Sequence, residues 1–69
     1  MKLYFQHSDG SLEHISEVGN NAYVQAALDD LHRRNPNYKS YYQRIWQDDN
    51  GWFWIDVGSH SEFYIVKDD

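Results

Sequence analysis

The stretch WQDDNGWFWID, residues Trp46 to Asp56, decides the fold of this 69-residue chain. Its polar centre, Asp48 to Gly51, is flanked by large apolar side chains, which is the pattern of a β-hairpin. With a two-residue Asn50-Gly51 turn or with a four-residue loop from Asp48, the same side chains of the two strands lie on the same face of the sheet. A three-residue bulged turn would reverse the facing of one strand, so the length of the turn decides which side chains share a face.

With either of the first two turns, the C-terminal strands YYQRIWQ, WFWIDVG and EFYIVKD form a sheet that is apolar on both faces. One face carries Tyr42, Arg44, Trp46, Phe53, Ile55, Val57, Tyr64 and Val66, and the other carries Tyr41, Gln43, Ile45, Trp52, Trp54, Asp56, Phe63 and Ile65. An antiparallel sheet of this kind needs a cover on each face.

The N-terminal segment KLYFQHSDGSLEHISEV predicts a second hairpin, with Asp9-Gly10 as a two-residue type I′ turn. The predicted cross-strand pairs are His7 with Leu12, Phe5 with His14, Leu3 with Ser16, Tyr4 with Ile15, and Lys2 with Glu17. We expect the face that carries Leu3 and Phe5 to point inward.

The segment GNNAYVQAALDDLHRRNP predicts one helix, which Asn20 or Asn21 caps and Asn35-Pro36 ends. Its apolar stripe consists of Val24, Ala27, Leu28 and Leu31, and the pairs Asp29 with Arg33 and Asp30 with Arg34 are expected on its exposed face. The stripe is narrow and covers only one face of the sheet. We assign it to the face of Trp46, Phe53, Ile55 and Val57.

These elements predict a single α+β domain over residues 1–69, in the order ββαβββ, with one helix packed on one face of an antiparallel sheet. The chain has no cysteine, which excludes disulfides and thiolate zinc sites. The segment MKLYFQHSDG is too short for a signal-peptide core, and the chain contains no run of 18 apolar residues. We therefore expect a soluble protein of the cytoplasm with no membrane association.

No motif for catalysis, metal binding or cofactor binding is present. Ser59 and Ser61 flank His60, but sequence neighbours rarely converge into a catalytic triad. The four histidines lack ligand spacing, QDDNGW lacks the acidic first and last ligands of a calcium loop, and no glycine-rich phosphate loop occurs. We predict a protein that is not an enzyme and that uses no cofactor or metal.

The remaining candidate is the sheet face that the helix leaves uncovered. Its apolar residues are Tyr41, Ile45, Trp52, Trp54 and Phe63, and its predicted rim is Asp48, Asp49, Asp56 and Glu62. Tyr and Trp are enriched at the energetic centres of protein interfaces, and carboxylates steer a positively charged partner. The pattern therefore predicts a module that binds a protein with a basic surface.

Three alternatives to this prediction stay open. A strongly twisted sheet could fold over and bury these rings as core. Two copies could pair their aromatic faces in a homodimer. The stretch NYKSYYQRIW interleaves rings with Lys39 and Arg44, as single-strand nucleic-acid binders do, although the net charge of −5 repels phosphate and makes nucleic acid the less favoured partner.

In size, acidity and compact layout, the chain resembles short accessory proteins of bacteriophages and prophages. The resemblance covers the whole chain and depends on HSDGSLEH, on acid pairs such as Asp29-Asp30 and Asp68-Asp69, and on the single predicted helix. It implies an inhibitor of a host defence or nucleic-acid enzyme, of the anti-CRISPR or anti-restriction type, in a bacterial or phage-infected cell. The resemblance transfers no functional residue.

Overall fold

The computed structural model describes residues 1–37, 43–58 and 61–68. The elements are β1 (Lys2–Gln6), β2 (Leu12–Glu17), α1 (Tyr23–Arg34), β3 (Arg44–Gln47), β4 (Phe53–Asp56) and β5 (Phe63–Lys67). The five strands form one antiparallel sheet in the order β2-β1-β5-β4-β3. The predicted α+β class and ββαβββ order are confirmed. Tyr41, Tyr42, Ser59 and His60 lie outside the described residues.

Strands β1 and β5 pair at the centre of the sheet and join its two hairpins. Leu3 lies opposite Val66 and Phe5 lies opposite Tyr64 in this central pair. Strands β2 and β3 form the two edges, so α1, which follows β2 and precedes β3, connects one edge to the other. No helix in the described ranges is long and apolar enough to cross a membrane.

The hydrophobic core lies between α1 and one face of the sheet. Its buried members are Leu3, Phe5, Ala27, Leu31, Ile55, Val57, Tyr64 and Val66. Tyr23, Leu28 and Phe53 pack against this cluster as partly buried side chains. The predicted cover of Phe53, Ile55 and Val57 by the helix is confirmed, whereas Trp46 lies on the other face of the sheet.

Both hairpins turn through three residues, whereas two were predicted for the first hairpin and two or four for the second. In the first, His7 N–H donates to the Ser11 carbonyl at 2.8 Å, and Gly10 takes a φ of 91°. In the second, Asp48 N–H donates to the Trp52 carbonyl at 2.9 Å, and Gly51 takes a φ of 83°. A type I turn followed by a left-handed glycine is the usual three-residue hairpin, and it moves the register of each strand pair by one residue.

In the first hairpin, this shift overturns three of the predicted pairs. Tyr4 lies opposite His14, Phe5 opposite Glu13, and Gln6 opposite Leu12. The pairs of His7 with Leu12, Phe5 with His14, and Tyr4 with Ile15 were therefore wrong. A bulge at Ile15 then restores the original register, so the predicted pairs of Leu3 with Ser16 and Lys2 with Glu17 are confirmed.

In the second hairpin, the shift reverses the facing of β3. Trp46 lies opposite Trp54 and Ile45 lies opposite Ile55. Arg44 and Trp46 therefore share a face with Trp54, while Ile45 lies on the helix side, and the predicted partition of β3 was wrong. The partition of β4 and β5 is confirmed, because Trp54 lies opposite Ile65 and Ile55 lies opposite Tyr64.

The ends and the exposed face of α1 differ in part from expectation. Ala22 occupies the N-cap position without a side-chain cap, so the predicted caps Asn20 and Asn21 were wrong. The C-terminal end is confirmed, since Asn35 N–H donates to the Leu31 carbonyl at 2.9 Å. Asp30, which we expected on the exposed face, is only 4% exposed.

Candidate functional site

The sheet face opposite α1 carries a cluster of rings that we call the aromatic face. Its members are Tyr4, Trp46, Trp52, Trp54 and Phe63, all of them half-buried. The predicted residues Trp52, Trp54 and Phe63 lie here together, and Trp46 joins them because of the three-residue turn. No element of the described residues packs over this face.

The rings of the aromatic face are ordered by contacts with one another. Trp46 and Trp54 stack with centroids 6.0 Å apart and planes 10° apart. The ring of Phe63 meets both indoles edge-on, at 6.2 Å from Trp46 and 5.7 Å from Trp54. Offset stacking and edge contacts are the geometries that aromatic quadrupoles favour, so each ring restricts the rotamers of its neighbours.

The aromatic face also has a small buried core of its own. Ile65 is only 1% exposed, although it is not part of the cluster under α1. Tyr4 and Trp54 lie directly opposite Ile65 on the two adjacent strands. Cross-strand neighbours at this spacing contact each other, so the rings shield Ile65 with one side while their other side stays accessible. The rings are therefore not sealed inside the molecule.

Asp48, predicted as a rim residue, has an internal role in the β3–β4 turn. Trp54 Nε1–H donates to Asp48 Oδ2 at 2.7 Å. The backbone N–H groups of Asn50 and Trp52 donate to Oδ1 at 2.9 and 3.0 Å. The hydrogen bond from Trp54 is the main cause that lowers the pKa of Asp48. This carboxylate fixes the turn and the orientation of the Trp54 indole together.

Among the described residues, two cations lie over the rings of the aromatic face. Lys67 Nζ is 4.8 Å from the Tyr4 ring centroid and 4.3 Å from that of Trp52. The Arg44 guanidinium carbon is 5.2 Å from the ring centroid of Trp46. These distances are typical of cation–π contacts. Sequence reasoning missed Lys67, although its position two residues after Ile65 places it on the same face of β5.

The other predicted site residues do not all converge on the aromatic face. Ile45 is 41% exposed, on the helix side of edge strand β3. Glu62 lines a cavity on the helix side. Asp49 is exposed in the turn, and Asp56 lies opposite Arg44 while it accepts the Gly58 N–H at 2.9 Å. Tyr41 lies outside the described residues.

A polar network crosses the core on the helix side of the sheet, and of its contacts sequence reasoning predicted only the pair of Asp30 with Arg34. The Tyr64 hydroxyl donates to Asp30 Oδ2 at 2.7 Å, and Arg34 Nε donates to the same oxygen at 2.5 Å. Arg33 also binds Asp30. Arg34 Nη2 reaches Glu13 at 2.7 Å, and His7 Nε2 lies 3.0 Å from Glu13. The network ties α1 to β5 and to the first hairpin.

The charges of this network shift its pKa values. Burial raises the pKa of Asp30, but hydrogen bonds from Arg34, Tyr64 and Arg33 outweigh it, and the net shift is downward. Burial and the neighbouring Asp30 carboxylate raise the pKa of Tyr64. The hydrogen bond from Arg34 is the main cause that lowers the pKa of Glu13. Asp30 and Glu13 are therefore ionised at neutral pH and pair with Arg34, whereas the Tyr64 hydroxyl keeps its proton.

A cavity of about 460 Å³ lies beside this network, at the end of the sheet. Its lining consists of Phe5, His7, Leu31, Arg34, Asn35, Val57 and Glu62. The Arg34 guanidinium lies 4.3 Å from the Phe5 ring centroid and is held by Glu13 and Asp30. Within the described ranges, no group of three or more His, Cys, Asp or Glu side chains forms a metal site.

Comparison with known proteins gives no match to a family model, to a curated protein or to a solved structure.

Proposed function

We propose that this chain is a non-enzymatic module that binds a protein partner through the aromatic face. The observation that carries the proposal is a set of five half-buried rings on a sheet face that no described element covers. Exposed apolar clusters on small monomeric domains commonly mark interaction sites. Tyr and Trp are the side chains most often found at the energetic centres of interfaces.

The order within the aromatic face favours tight binding. The Trp46–Trp54 stack and the hydrogen bond from Trp54 to Asp48 fix two indoles before a partner arrives. Fewer rotamers are then lost on association, and more of the contact energy appears as affinity. The buried side of each ring rests on the sheet, so the accessible side forms a rigid platform.

The partner that we propose has a basic surface. The net charge of −5 attracts positively charged proteins over long range. Asp49 and Asp56 lie towards the two ends of the β3–β4 hairpin, where they can contact basic side chains at the edge of the aromatic face. A phage-type inhibitor that occupies a basic surface of a host nucleic-acid or defence enzyme in the bacterial cytoplasm fits this charge.

The test compares Trp52→Ala/Trp54→Ala with Ile45→Ala. Ile45 is the matched control, because it is an exposed apolar residue on the opposite side of the sheet. Proteins captured from a bacterial lysate by the unmodified chain are identified, and the affinity of each variant for a purified candidate is then measured by titration. We expect to capture a basic protein. Its affinity for the tryptophan variant should be at least about 100-fold lower than for the unmodified chain, because two central anchors are lost. Its affinity for the Ile45→Ala control should change little.

Circular dichroism must show that both variants stay folded. Equal affinity of the folded tryptophan variant and the control for every captured protein would contradict the proposal. If the double tryptophan variant does not fold, Trp52→Ala alone is measured in its place. This variant keeps the hydrogen bond from the Trp54 indole to Asp48, which orders the turn.

A second candidate function is single-stranded nucleic-acid binding, which one observation favours. Lys67 and Arg44 lie over rings of the aromatic face, and neither has a carboxylate at salt-bridge distance among the described residues. Proteins that bind single strands without sequence preference stack the bases on aromatic side chains and hold the phosphates near cationic side chains. Titration with a thymidine homopolymer separates the two functions, since it should quench tryptophan fluorescence in a salt-dependent way only if this candidate is correct.

A further inference from the structure

The two edges of the sheet differ in how they are protected against pairing with another strand. On β2, the bulge at Ile15 interrupts the ladder, and Glu13 and Glu17 add charge. Bulges and charged side chains are the usual means by which natural sheets block strand addition. Strand β3 has neither a register shift in its pairing with β4 nor a proline, its one charged side chain is Arg44, and it exposes Ile45.

The hydrogen-bonding groups on the outer side of β3 follow from the turn. Asp48 N–H donates to the Trp52 carbonyl, so these two residues form a hydrogen-bonded pair. Hydrogen-bonded and non-hydrogen-bonded pairs alternate along an antiparallel ladder. Arg44 and Trp46 therefore direct their N–H and C=O groups toward β4, and Ile45 and Gln47 direct theirs outward. No described residue pairs with this outer edge.

We propose that a second copy of this chain pairs antiparallel along β3, edge to edge, with Ile45 hydrogen-bonded to Gln47 of the second copy. This register sets Trp46 opposite Trp46 on the two-fold axis. It also sets Arg44 of each copy opposite Asp48 of the other, so that the two-fold axis produces two pairs of opposite charges across the interface. This charge match between the first residue of β3 and the residue that directly follows β3 is what selects a second copy as the occupant.

The dimer goes beyond the proposed function and leaves the aromatic face free. A two-fold axis perpendicular to the sheet preserves the facing of every strand, so the helices of both copies lie on one side. The two aromatic faces lie together on the other side and meet at Trp46. Self-association and partner binding are therefore separate properties, and an experiment that contradicts one of them does not contradict the other.

Sedimentation equilibrium and amide hydrogen exchange test the dimer directly. The interface is short, so the weight-average mass should rise from 8.3 kDa toward twice that value between about 10 μM and about 1 mM chain. Over the same range, amide exchange of Ile45 and Gln47 should slow about tenfold or more, because their outward N–H groups gain partners. The amide of Trp46, already bonded to β4, should not change and serves as the internal control.

A charge reversal provides the matched variants. Arg44→Glu places a carboxylate opposite Asp48 of the second copy and should weaken association about tenfold or more. Lys67→Glu makes the same change of charge on the same face, but on β5 away from the edge, and should leave association nearly unchanged. A constant 8.3 kDa mass at about 1 mM overturns the proposal. So does a dimer that leaves exchange at Ile45 and Gln47 unaltered, or one that Lys67→Glu weakens as much as Arg44→Glu does.

Discussion

Replacing Asp30 with alanine removes the centre of the buried polar network and should destabilise the fold strongly. The Tyr64 hydroxyl, on a side chain that is 0% exposed, would lose the carboxylate that accepts its proton. An unsatisfied buried hydroxyl costs about 1–3 kcal/mol. Arg33 and Arg34 would each lose a carboxylate, but their side chains are 68% and 23% exposed, so water replaces much of that interaction.

Adding about 1 kcal/mol for the two ion pairs gives an expected loss of about 2–4 kcal/mol for Asp30→Ala. A chain of 69 residues has a total stability of about 3–10 kcal/mol, so the loss is a large share. Asp29→Ala is the matched control, because Asp29 is exposed, lies on the same helix and accepts one hydrogen bond from Gln25. It should change stability by less than about 0.5 kcal/mol.

Urea unfolding, followed by circular dichroism and tryptophan fluorescence, measures both variants. The double variant Asp30→Ala/Tyr64→Phe then tests the reason for the loss. If the cost arises from an orphaned hydroxyl, removing that hydroxyl should not destabilise the Asp30→Ala protein further, although Tyr64→Phe alone costs about 1–2 kcal/mol. Strictly additive effects of the two changes, or equal stability of the Asp30 and Asp29 variants, would refute this account of the network.

Three further predictions concern acid, the turn and the aromatic face. The pKa values of Asp30 and Glu13 are lowered in the fold, so the two carboxylates stabilise the folded state fully at any pH above their unfolded pKa values of about 4. This contribution is lost as acid protonates them in the folded protein. The urea midpoint should therefore drop between pH 7 and pH 2, and it should drop less steeply in Asp30→Asn. Gly51→Ala should cost about 1 kcal/mol in urea unfolding, because Gly51 has a φ of 83°, whereas Gly19→Ala, without positive φ, should cost less. Trp54→Phe should raise the pKa of the Asp48 carboxyl in an NMR titration, since it removes the indole N–H that lowers it, and an unchanged pKa would count against that assignment.

The fold could be predicted from the sequence because each element has a strong local pattern. The alternation of side chains in β4 and β5 sets which residues of these strands face α1, whatever the exact form of the Asp48–Gly51 turn. The predicted pair of Leu3 with Ser16 is correct because the bulge at Ile15 cancels the register shift of the first turn. The register of β3 could not be predicted in this way. Asp48-Asp49-Asn50-Gly51 suits two-, three- and four-residue loops, and the hydrogen bonds from Asn50 and Trp52 to Asp48 favour the three-residue form.

The candidate site was partly predictable for the same reason. Trp54 and Phe63 lie on strands whose facing was predicted correctly, and Trp52 directly precedes β4. Ile45 was assigned to the wrong face because the predicted register of β3 was wrong. The burial of Asp30 depends on Tyr64, 34 positions away in sequence. Helix periodicity alone placed Asp30 beside Arg34 on the surface, because local spacing carries no information about such a distant partner.

The position of β5 between β1 and β4 has a consequence for synthesis of the chain. The N-terminal hairpin and the β3–β4 hairpin make no strand pairing with each other, and β5 alone joins them in the sheet. While β5 is still inside the ribosome, the emerging chain consists of two separate hairpins and a helix without a finished core. Stable folding should therefore begin only after translation has passed this strand, and a ribosome stalled before residue 63 should display a protease-sensitive chain.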